Sequence, residues 1–491
     1  MRPRGSTRCP LRVSGRSAPS LITRSSSEGV PVTSGLFAWG RDVDVRMPFD
    51  LAGRAATIGQ GNWVRRGCTR VTMGGGKSTG TGRSVGSRAD GASPALCRVV
   101  PSRFGMGGWW RSMMRYWTAG ESHGKALIAL VDGFPAGVEL DTAAIDAELR
   151  RRQGGYGRGG RQRIETDAVD VLSGVWQNRT LGSPIALQVV NRDYKLERLG
   201  DLERPRPGHG DLTGAIKFLG SIRGVLERAS ARETTVRVAA GALAKQLLRE
   251  FGITAFGYVV ELGGVAIPPR EGAHSERLAW REASSIYSLD AARDAEIEKL
   301  IDETGKAGDT LGGIVEVRVD GLPIGLGTHT QWDLKLDGRI AQAVMAVQAI
   351  KGVEIGLGFE AARRRGSQVH DPIRFDESQR SSPALGYVRP TNNAGGLEAG
   401  ITNGQPLIVR AAKKPISTLR KPLDSINLGT KLPEAAAYER SDVCAVSAAS
   451  VIVENVVAFE VARALTDKFG NDSLVEMQAR WNLYHEMARQ R

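Results

Sequence analysis

The sequence predicts an α+β fold, in which helices and strands mix without a regular β-α-β alternation. Residues 234–250 carry apolar side chains at helical spacing and are followed by Gly252, which predicts a helix. A second helix is predicted from about 447 to 468, where three valines and a leucine recur at every fourth position. Residues 314–319 alternate between apolar and charged side chains, as a half-buried strand does. Charged and amide residues interrupt the longest apolar region, so no membrane span is expected.

The earlier part of the predicted fold has the same mixed character. Residues 126–131 form a short apolar run that ends at Asp132 and a glycine, which predicts a strand followed by a turn. Asp141 then opens a helical pattern with apolar residues on one face, and a pair of glycines closes it. These segments together predict one catalytic domain, residues 114–491.

The basic character of the chain is concentrated in its first 113 residues. The 491-residue sequence has a formal net charge of +14. Residues 1–113 contain 18 Lys or Arg against 5 Asp or Glu, so the remainder is close to neutral. Three of the four cysteines also lie in this segment, and Cys444 stands alone beyond it. One cysteine builds neither a disulfide framework nor a zinc site, which favours a reducing compartment.

Residues 1–113 are rich in Arg, Ser and Gly and lack a sustained period, which predicts a disordered extension. Three interpretations compete. A transit peptide would be rich in Arg and Ser and poor in acidic residues, and a nucleic-acid-binding arm would look similar. The third interpretation is upstream sequence translated from a start codon assigned too early, with Met113 or Met114 as the true start. This third interpretation is favoured, because Met114 leads directly into the ordered pattern.

Two histidines lie among glycines, where short side chains let a ligand approach the backbone closely. His123 follows a serine within residues 120–124, a place suited to proton transfer near neutral pH. His209 lies within residues 204–211, where two prolines stiffen a loop that also carries two arginines. Arginine pairs with phosphate or carboxylate in a fixed fork, so this loop predicts an anionic ligand. Taken singly, each segment also fits a structural histidine or an exposed basic loop.

Further segments extend this cationic pattern. Residues 150–161 interleave five arginines with five glycines, which fits either an RNA-binding segment or a mobile lid over an acidic small molecule. Residues 228–234 precede the predicted helix, whose first N–H groups make an anion site. Asp442 lies close to Arg440 and is either a routine ion-pair partner or a general base. Jointly, these loops favour a polyanionic small molecule over a nucleic acid, because residues 114–491 have almost no basic excess.

The chain from Met114 to about Ala464 resembles the chorismate synthase family. Five blocks match the family in order: residues 120–124, 204–209, 227–241, 414–418 and 440–455. A five-residue motif arises by chance, but five ordered blocks over about 350 residues do not. Residues 1–113 have no counterpart in the family's usual form.

The resemblance implies a lyase of the shikimate pathway of aromatic amino acid biosynthesis. The family converts 5-enolpyruvylshikimate 3-phosphate to chorismate and phosphate by a 1,4-anti elimination that needs reduced FMN but has no net redox change. It also implies a β-α-β sandwich and a homotetramer. The implied location is cytoplasmic, or a plastid if residues 1–113 are a transit peptide. A monofunctional member takes reduced flavin from a separate flavin reductase, so NADPH enters only indirectly.

The same resemblance implies roles for individual residues. His123 and His209 protonate the departing phosphate region and the reduced flavin, in an assignment that the sequence leaves open, and Asp442 assists removal of the ring proton. The residues implied to contact FMN are Arg228, Ala229, Ser230, Gln348, Ala349, Ala399, Gly400, Lys414, Pro415, Ile416, Ser417, Thr418 and Arg440. Those implied to bind the substrate or NADP are Arg152, Arg158, Arg206 and Arg232. Ala399 is a departure, since many relatives have glycine there.

Two other functions stay open from the residues alone. An RNA-associated protein would bind RNA tightly and in a salt-sensitive manner through residues 114–491. A flavin-dependent oxidoreductase would consume a reductant in every turnover, whereas an eliminating enzyme needs its flavin reduced only once.

Overall fold

The computed structural model describes residues 114–439 and 441–491. The disorder expected for residues 1–113 therefore lies outside the described residues. The helices are α1 Thr142–Gln153, α2 Asp211–Phe218, α3 Ile222–Ala229, α4 Thr234–Arg249, α5 His274–Ala283, α6 Asp294–Lys306, α7 Leu336–Met345, α8 Gly366–Val369, α9 Val446–Phe469 and α10 Leu474–Ala488. The strands are β1 Arg115–Ala119, β2 Ala126–Asp132, β3 Asp170–Val171, β4 Val175–Trp176, β5 Arg179–Thr180, β6 Ile185–Val190, β7 Thr254–Leu262, β8 Val265–Ala266, β9 Gly313–Asp320, β10 Ile324–Gly327, β11 Ile350–Ile355, β12 Arg374–Phe375, β13 Tyr387–Val388, β14 Leu397–Glu398, β15 Ile401–Asn403, β16 Leu407–Lys413, β17 Asp424–Ile426 and β18 Pro433–Ala435.

Two antiparallel sheets form the outer layers, and helices form the layer between them. The first sheet has the strand order β1-β2-β6-β3, and the second has the order β11-β16-β9-β7-β8. Helix α4 packs on β2 and β6, α9 packs on β7 and β9, and the two helices pack on each other. The α+β prediction is confirmed, and so is the β-α-β sandwich that the resemblance implied.

Each sheet turns one face towards the helical layer. In β9, Val315, Val317 and Val319 are fully buried and alternate with partly exposed residues. In β2, the alternate positions point outwards, and Ile128 and Leu130 are exposed. Because side chains alternate across a strand, burial of one face leaves the other face free for solvent or for a partner.

Helix α9 is buried on almost every side, because it lies between α4 and the second sheet. Glycines allow this close approach from both directions. A Cβ added to Gly241 of α4 would lie 2.3 Å from the backbone oxygen of Asn455, and one added to Gly257 of β7 would lie 2.5 Å from that of Ser450. The backbones of α4, α9 and β7 are therefore nearly in contact.

The elements predicted from local pattern are confirmed. The helix predicted at 234–250 is α4, the one predicted at 447–468 is α9, and the alternating strand at 314–319 is β9. Asp141 caps α1 by accepting a hydrogen bond from the backbone N–H of Ala144 at 3.1 Å. The apolar row that predicted α9 marks only one of its buried faces. The structure shows that protein covers the other sides of the helix as well.

Among the described residues, no helix combines the length and the apolar character that crossing a membrane requires.

We expect Gly241→Ala to lower the free energy of unfolding by about 3 kcal/mol, because the added methyl group forces α4 away from α9. Gly338→Ala is the matched control. Gly338 lies in α7 with nothing within 4 Å of an added Cβ, so alanine there should stabilise the helix by up to about 1 kcal/mol. Chemical denaturation followed by circular dichroism measures both changes. Equal stabilities for the two variants would contradict the close packing of α4 on α9.

Candidate active site

The loops that carry the sequence blocks converge on one cavity of about 710 Å³. That volume lies within the range found for binding sites of cofactors and drug-sized ligands. The residues that the sequence predicted for the site and that line this cavity are His123, His209, Asp442, Arg152, Arg158, Arg206, Arg232, Ala229, Ser230, Gln348, Ala349, Lys414, Ile416, Ser417 and Thr418.

Hydrogen bonds join the blocks around the cavity. Arg206 donates from Nη1 to Thr418 Oγ1 at 2.8 Å, and Ser417 donates to the backbone oxygen of Gly208 at 3.1 Å. On another wall, Ser230 donates to Ser122 Oγ at 3.1 Å. Blocks that are more than 100 residues apart in the chain therefore form one continuous lining.

His123 is held by a buried carboxylate, Glu227 at the end of α3. The Nδ1 atom of His123 lies 2.9 Å from Glu227 Oε1, and the backbone N–H of His123 donates to Oε2 at 2.7 Å. Burial raises the pKa of Glu227, but the hydrogen bonds from His123 outweigh burial and bring the pKa below its usual range. Because Glu227 engages Nδ1, Nε2 is the nitrogen left for the cavity; Asp193 Oδ2 lies 3.8 Å from it.

His209 is held in the same way by Asp211, which follows it by two residues and is the first residue of α2. Its Nδ1 atom lies 2.5 Å from Asp211 Oδ1, and Arg206 donates from Nε to Oδ2 at 2.8 Å. Burial raises the pKa of Asp211, but the hydrogen bonds from His209 and Arg206 outweigh burial, so the pKa falls well below its usual range. Arg206 lines the cavity, but its guanidinium group is committed to the carboxylate that positions His209.

Asp442 fastens the arginine- and glycine-rich segment to the start of α9. Its Oδ1 accepts the backbone N–H of Gly159 at 2.7 Å, and its Oδ2 pairs with Arg158 at 2.8 Å. The segment proposed from sequence as a lid thus lies against the cavity, with both oxygens of Asp442 engaged.

The cavity is strongly cationic even though residues 114–491 are nearly neutral. Nine arginine and lysine side chains line it, against three carboxylates. Several of its buried polar groups have an atom without a hydrogen bond in the part of the chain that the structure describes: Arg152, Arg158, Arg161, Arg223, Arg232 and Gln348. Gln348 is the exception, since its unsatisfied atom is the acceptor Oε1. Unsatisfied buried donors are costly, so the five arginines fit a ligand that brings phosphate or carboxylate oxygens. They therefore fit both FMN and a phosphorylated dicarboxylic acid.

Lys413 is a buried cation in this lining, with 8% of its surface exposed. Its ammonium group donates to the backbone oxygen of Lys414 at 3.3 Å. Burial is the largest influence and lowers the pKa of Lys413 to about 8, while the neighbouring Asp442 and Cys444 act in the opposite direction. The lining therefore contains a lysine whose charged form is destabilised by burial.

Five residues predicted to contact FMN do not line the cavity or cannot be placed. Arg228 is exposed and donates to the backbone oxygens of Thr118 and Gly120 at the end of β1. Pro415 is not part of the lining, although its neighbours are. Ala399 and Gly400 form the turn between β14 and β15, outside the cavity, and both have positive φ, +52° and +80°. Arg440 lies outside the described residues. These five assignments stay predictions.

Sequence reasoning gave no role to Glu227, Asp211, Arg161 or Lys413. An acidic residue two positions after His209 was a usable signal for Asp211, because a carboxylate so near in the chain can reach the imidazole. No such signal existed for Glu227, which is 104 residues from His123. Such pairings depend on chain folding and not on local spacing.

The family model described as chorismate synthase matches residues 114–466 of the chain. The chorismate synthase of Geotalea daltonii is 54% identical over 388 residues, which cover 76% of this chain and 99% of that relative. The chorismate synthase of Geobacter metallireducens is 53% identical over 392 residues, which cover 77% and 100%. A solved structure described as chorismate synthase superposes with a TM-score of 0.63 at 42% identity, covering 77% of this chain and 99% of that one. The chain therefore belongs to the chorismate synthase family of lyases, which acts in the shikimate pathway.

Proposed function

We propose that this chain converts 5-enolpyruvylshikimate 3-phosphate to chorismate and inorganic phosphate, with reduced FMN bound in the cavity. The supporting observation is that three proton-handling side chains, His123, His209 and Asp442, line one cationic cavity. The ring of the substrate loses a proton and the phosphate group as two bonds break, and a second ring double bond forms. Substrate and product are at the same oxidation level, so no reductant is consumed.

Reduced FMN, when bound, supplies electron density to the substrate transiently and takes it back. The residues that would hold it are Ala229, Ser230, Gln348, Ala349 and the loop from Lys414 to Thr418, all at the cavity except Pro415. The buried, unpaired Oε1 atom of Gln348 is an acceptor that a donor group on the flavin would satisfy. NADPH enters only through a separate flavin reductase.

The cationic lining binds the substrate and stabilises the leaving group. The substrate carries one phosphate and two carboxylates, and the basic side chains of the cavity neutralise that charge. Cations fixed before the reaction stabilise phosphate as it departs, without solvent reorganisation at that moment. Arg152, Arg158 and Arg232 contribute to this field, while Arg206 acts mainly on His209 through Asp211.

The two histidines hold and deliver protons. In each, a carboxylate at Nδ1 fixes the orientation of the ring, which leaves Nε2 for the ligand. Asp442 is the carboxylate that assists proton removal. Each of its oxygens has one partner, Arg158 or Gly159, and keeps a further lone pair that can accept a proton.

A homotetramer in the cytoplasm belongs to the same proposal, with residues 114–491 as the catalytic unit. The first sheet supports assembly, because its outer face is apolar. Trp117, Ile128, Leu130 and Val190 are each more than one-third exposed and lie on neighbouring strands, with Trp117 paired to Leu130 in register. Contiguous apolar surface of this kind typically marks an interface, and a second copy of the chain is the partner we propose.

The direct test of the function is anaerobic incubation with 5-enolpyruvylshikimate 3-phosphate and reduced FMN, with phosphate release as the readout. Many phosphate molecules per flavin support an elimination. Consumption of one reductant per turnover would instead identify an oxidoreductase. Salt-sensitive RNA binding without any phosphate release would favour an RNA-associated protein.

We expect His123→Ala to reduce turnover by roughly 10²–10⁴-fold, because a positioned proton donor contributes about that much. FMN binding, followed by flavin fluorescence, should persist, since the cationic lining is intact. His329→Ala is the control, because His329 is an exposed histidine away from the cavity lining. Unchanged turnover in His123→Ala would remove His123 from the chemistry.

We expect Lys413→Met to stabilise the free protein at pH 7 by up to about 3 kcal/mol, because a buried ammonium group is removed. In the unfolded chain the pKa of lysine is 10.5, and in the fold that of Lys413 is about 8. Between these values the unfolded state binds more protons, so this group adds stability as the pH rises. The advantage of the variant should therefore shrink from pH 8 to pH 10.5. Denaturant unfolding across this pH range measures the difference in stability between the variant and the native chain. Lys421→Met, at an exposed position, is the control. A stability advantage of Lys413→Met that does not change with pH would contradict the prediction.

We expect Leu130→Glu to dissociate the assembly, because a charge would lie within a buried apolar interface. Light scattering after size-exclusion chromatography measures the mass. Val475→Glu is the control, since Val475 is 75% exposed on α10 and lies away from the first sheet. An unchanged mass for Leu130→Glu would exclude this face from the interface.

A further inference from the structure

A second cavity of about 260 Å³ lies between α1, α4, α5 and β7 and shares no lining residue with the catalytic cavity. Residue Glu454 of α9 also belongs to its lining. No role assigned to the chain so far uses this cavity.

A cluster of buried and partly buried charges lines this cavity, and we call it the Glu454 cluster: Glu148, Arg151, Lys245, Arg281 and Glu454. Arg151 donates to Glu454 at 2.9 Å and to Glu148 at 2.8 Å. Lys245 donates to both carboxylates. Arg281 lies 3.4 Å from Glu454 and also pairs with the exposed Glu282 at 2.8 Å.

Positive charge exceeds negative charge in this lining. Arg249 adds a fourth cation, so four cationic side chains face the cavity with only Glu148 and Glu454 as carboxylates. Two buried nitrogens of the lining have no hydrogen bond within the described residues: Nε of Arg281 and Nδ1 of His274. The side chain of Arg281 is only 4% exposed. A buried guanidinium group with an unsatisfied donor calls for an acceptor, which an anion in the cavity would provide.

We propose that this second cavity binds a small anion with one or two acidic groups. The buried Arg281 and the partly buried Lys245 are the cations that recognise it, with Arg249 at the exposed mouth. The volume of this cavity is less than about 300 Å³, the lower end of the usual range for cofactor and drug-sized sites. The ligand is therefore smaller than the catalytic substrate. Inorganic phosphate and a short dicarboxylate have the required charge and size.

Helix α1 connects this site to the catalytic cavity. Arg151 lines the second cavity, and the next residue, Arg152, lines the catalytic one. Tyr287 donates to the backbone oxygen of Arg151 at 3.1 Å. The part of the proposed lid that is not helical begins at Gly154, directly after α1. An anion that competes with Glu454 for Arg151 would shift the end of α1, so binding would alter the affinity for substrate at the lid.

Binding is tested on the full chain by calorimetric titration with inorganic phosphate and, separately, with malonate. Ala144→Trp fills the second cavity from its wall and leaves the Glu454 cluster in place. Ala143→Trp is the matched control, since Ala143 is exposed and outside the lining. We expect the native chain and Ala143→Trp to bind one more anion per protomer than Ala144→Trp.

A second variant, Arg281→Gln, removes a recognising cation and should weaken this binding at least tenfold, with circular dichroism to verify folding. Binding of only one of the two probes would assign the acidic group of the ligand. Equal stoichiometry and affinity of both probes in the native chain and in Ala144→Trp would overturn the proposal.

Turnover is a further readout, and it rests on the proposed function. Malonate should change the KM for the phosphorylated substrate in the native chain and in Ala143→Trp, but not in Ala144→Trp. An equal response in Ala144→Trp would place the effect at the catalytic cavity and overturn the link through α1. Failure of the proposed function would look different, because the native chain would then release no phosphate under any condition.

Discussion

The carboxylate of Glu454 lies in the middle of α9, between α4 and the second sheet, with 1% of its side chain exposed. Burial raises its pKa, but Arg151, Lys245 and Arg281 outweigh burial and hold the pKa far below its usual range. The backbone N–H of Gly257 adds a hydrogen bond at 2.8 Å. Breaking such a buried pair costs about 3–5 kcal/mol, because the remaining charge is stranded. This one carboxylate therefore ties α1, α4, α5 and β7 to α9.

The position of α1 follows from that constraint, and the lining of the candidate active site depends on α1. Arg151 is fixed by Glu454, so Arg152 and the lid that follows it begin from a fixed point. At the other end of the lid, Asp442 holds Arg158 and Gly159 against the start of α9. The segment is thus fastened at both ends, once to the middle of α9 through the Glu454 cluster and once to Asp442, four residues before α9 begins. Only the second attachment lies where a substrate can reach it.

Charge is separated inside this nearly neutral domain. Cations gather around the candidate active site, and the carboxylates beside it are engaged by these cations or by the two histidines. Glu227 and Asp211 orient His123 and His209, and each has a pKa below its usual range because the histidine donates to it. Each imidazole thus has a carboxylate partner, within a cavity whose cationic lining attracts anions. The net charge of residues 114–491 is a poor guide to this site, because it averages the cationic lining with the rest of the domain.

Local pattern determined much of the fold by itself. Apolar spacing located α4, α9 and β9 to within about two residues, because a helix or strand repeats its burial along the chain. Local pattern did not give the sandwich arrangement, which the family resemblance implied, and the full burial of α9 came only with the tertiary structure. They depend on Gly241 and Gly257, which allow close backbone approach and look ordinary in sequence.

The sequence determined which residue types the site contains, since His123, His209 and Asp442 lie in blocks with a recognisable order. Only the tertiary structure decided how these residues are held. The pairing of Glu227 with His123 and that of Asp442 with Arg158 join distant segments, and no local spacing encodes them. The tertiary structure also shows that Arg206 donates to Asp211, the carboxylate that holds His209. The physical reason is that hydrogen bonds and ion pairs depend on distance in space, which the packing of α9 between the sheets sets.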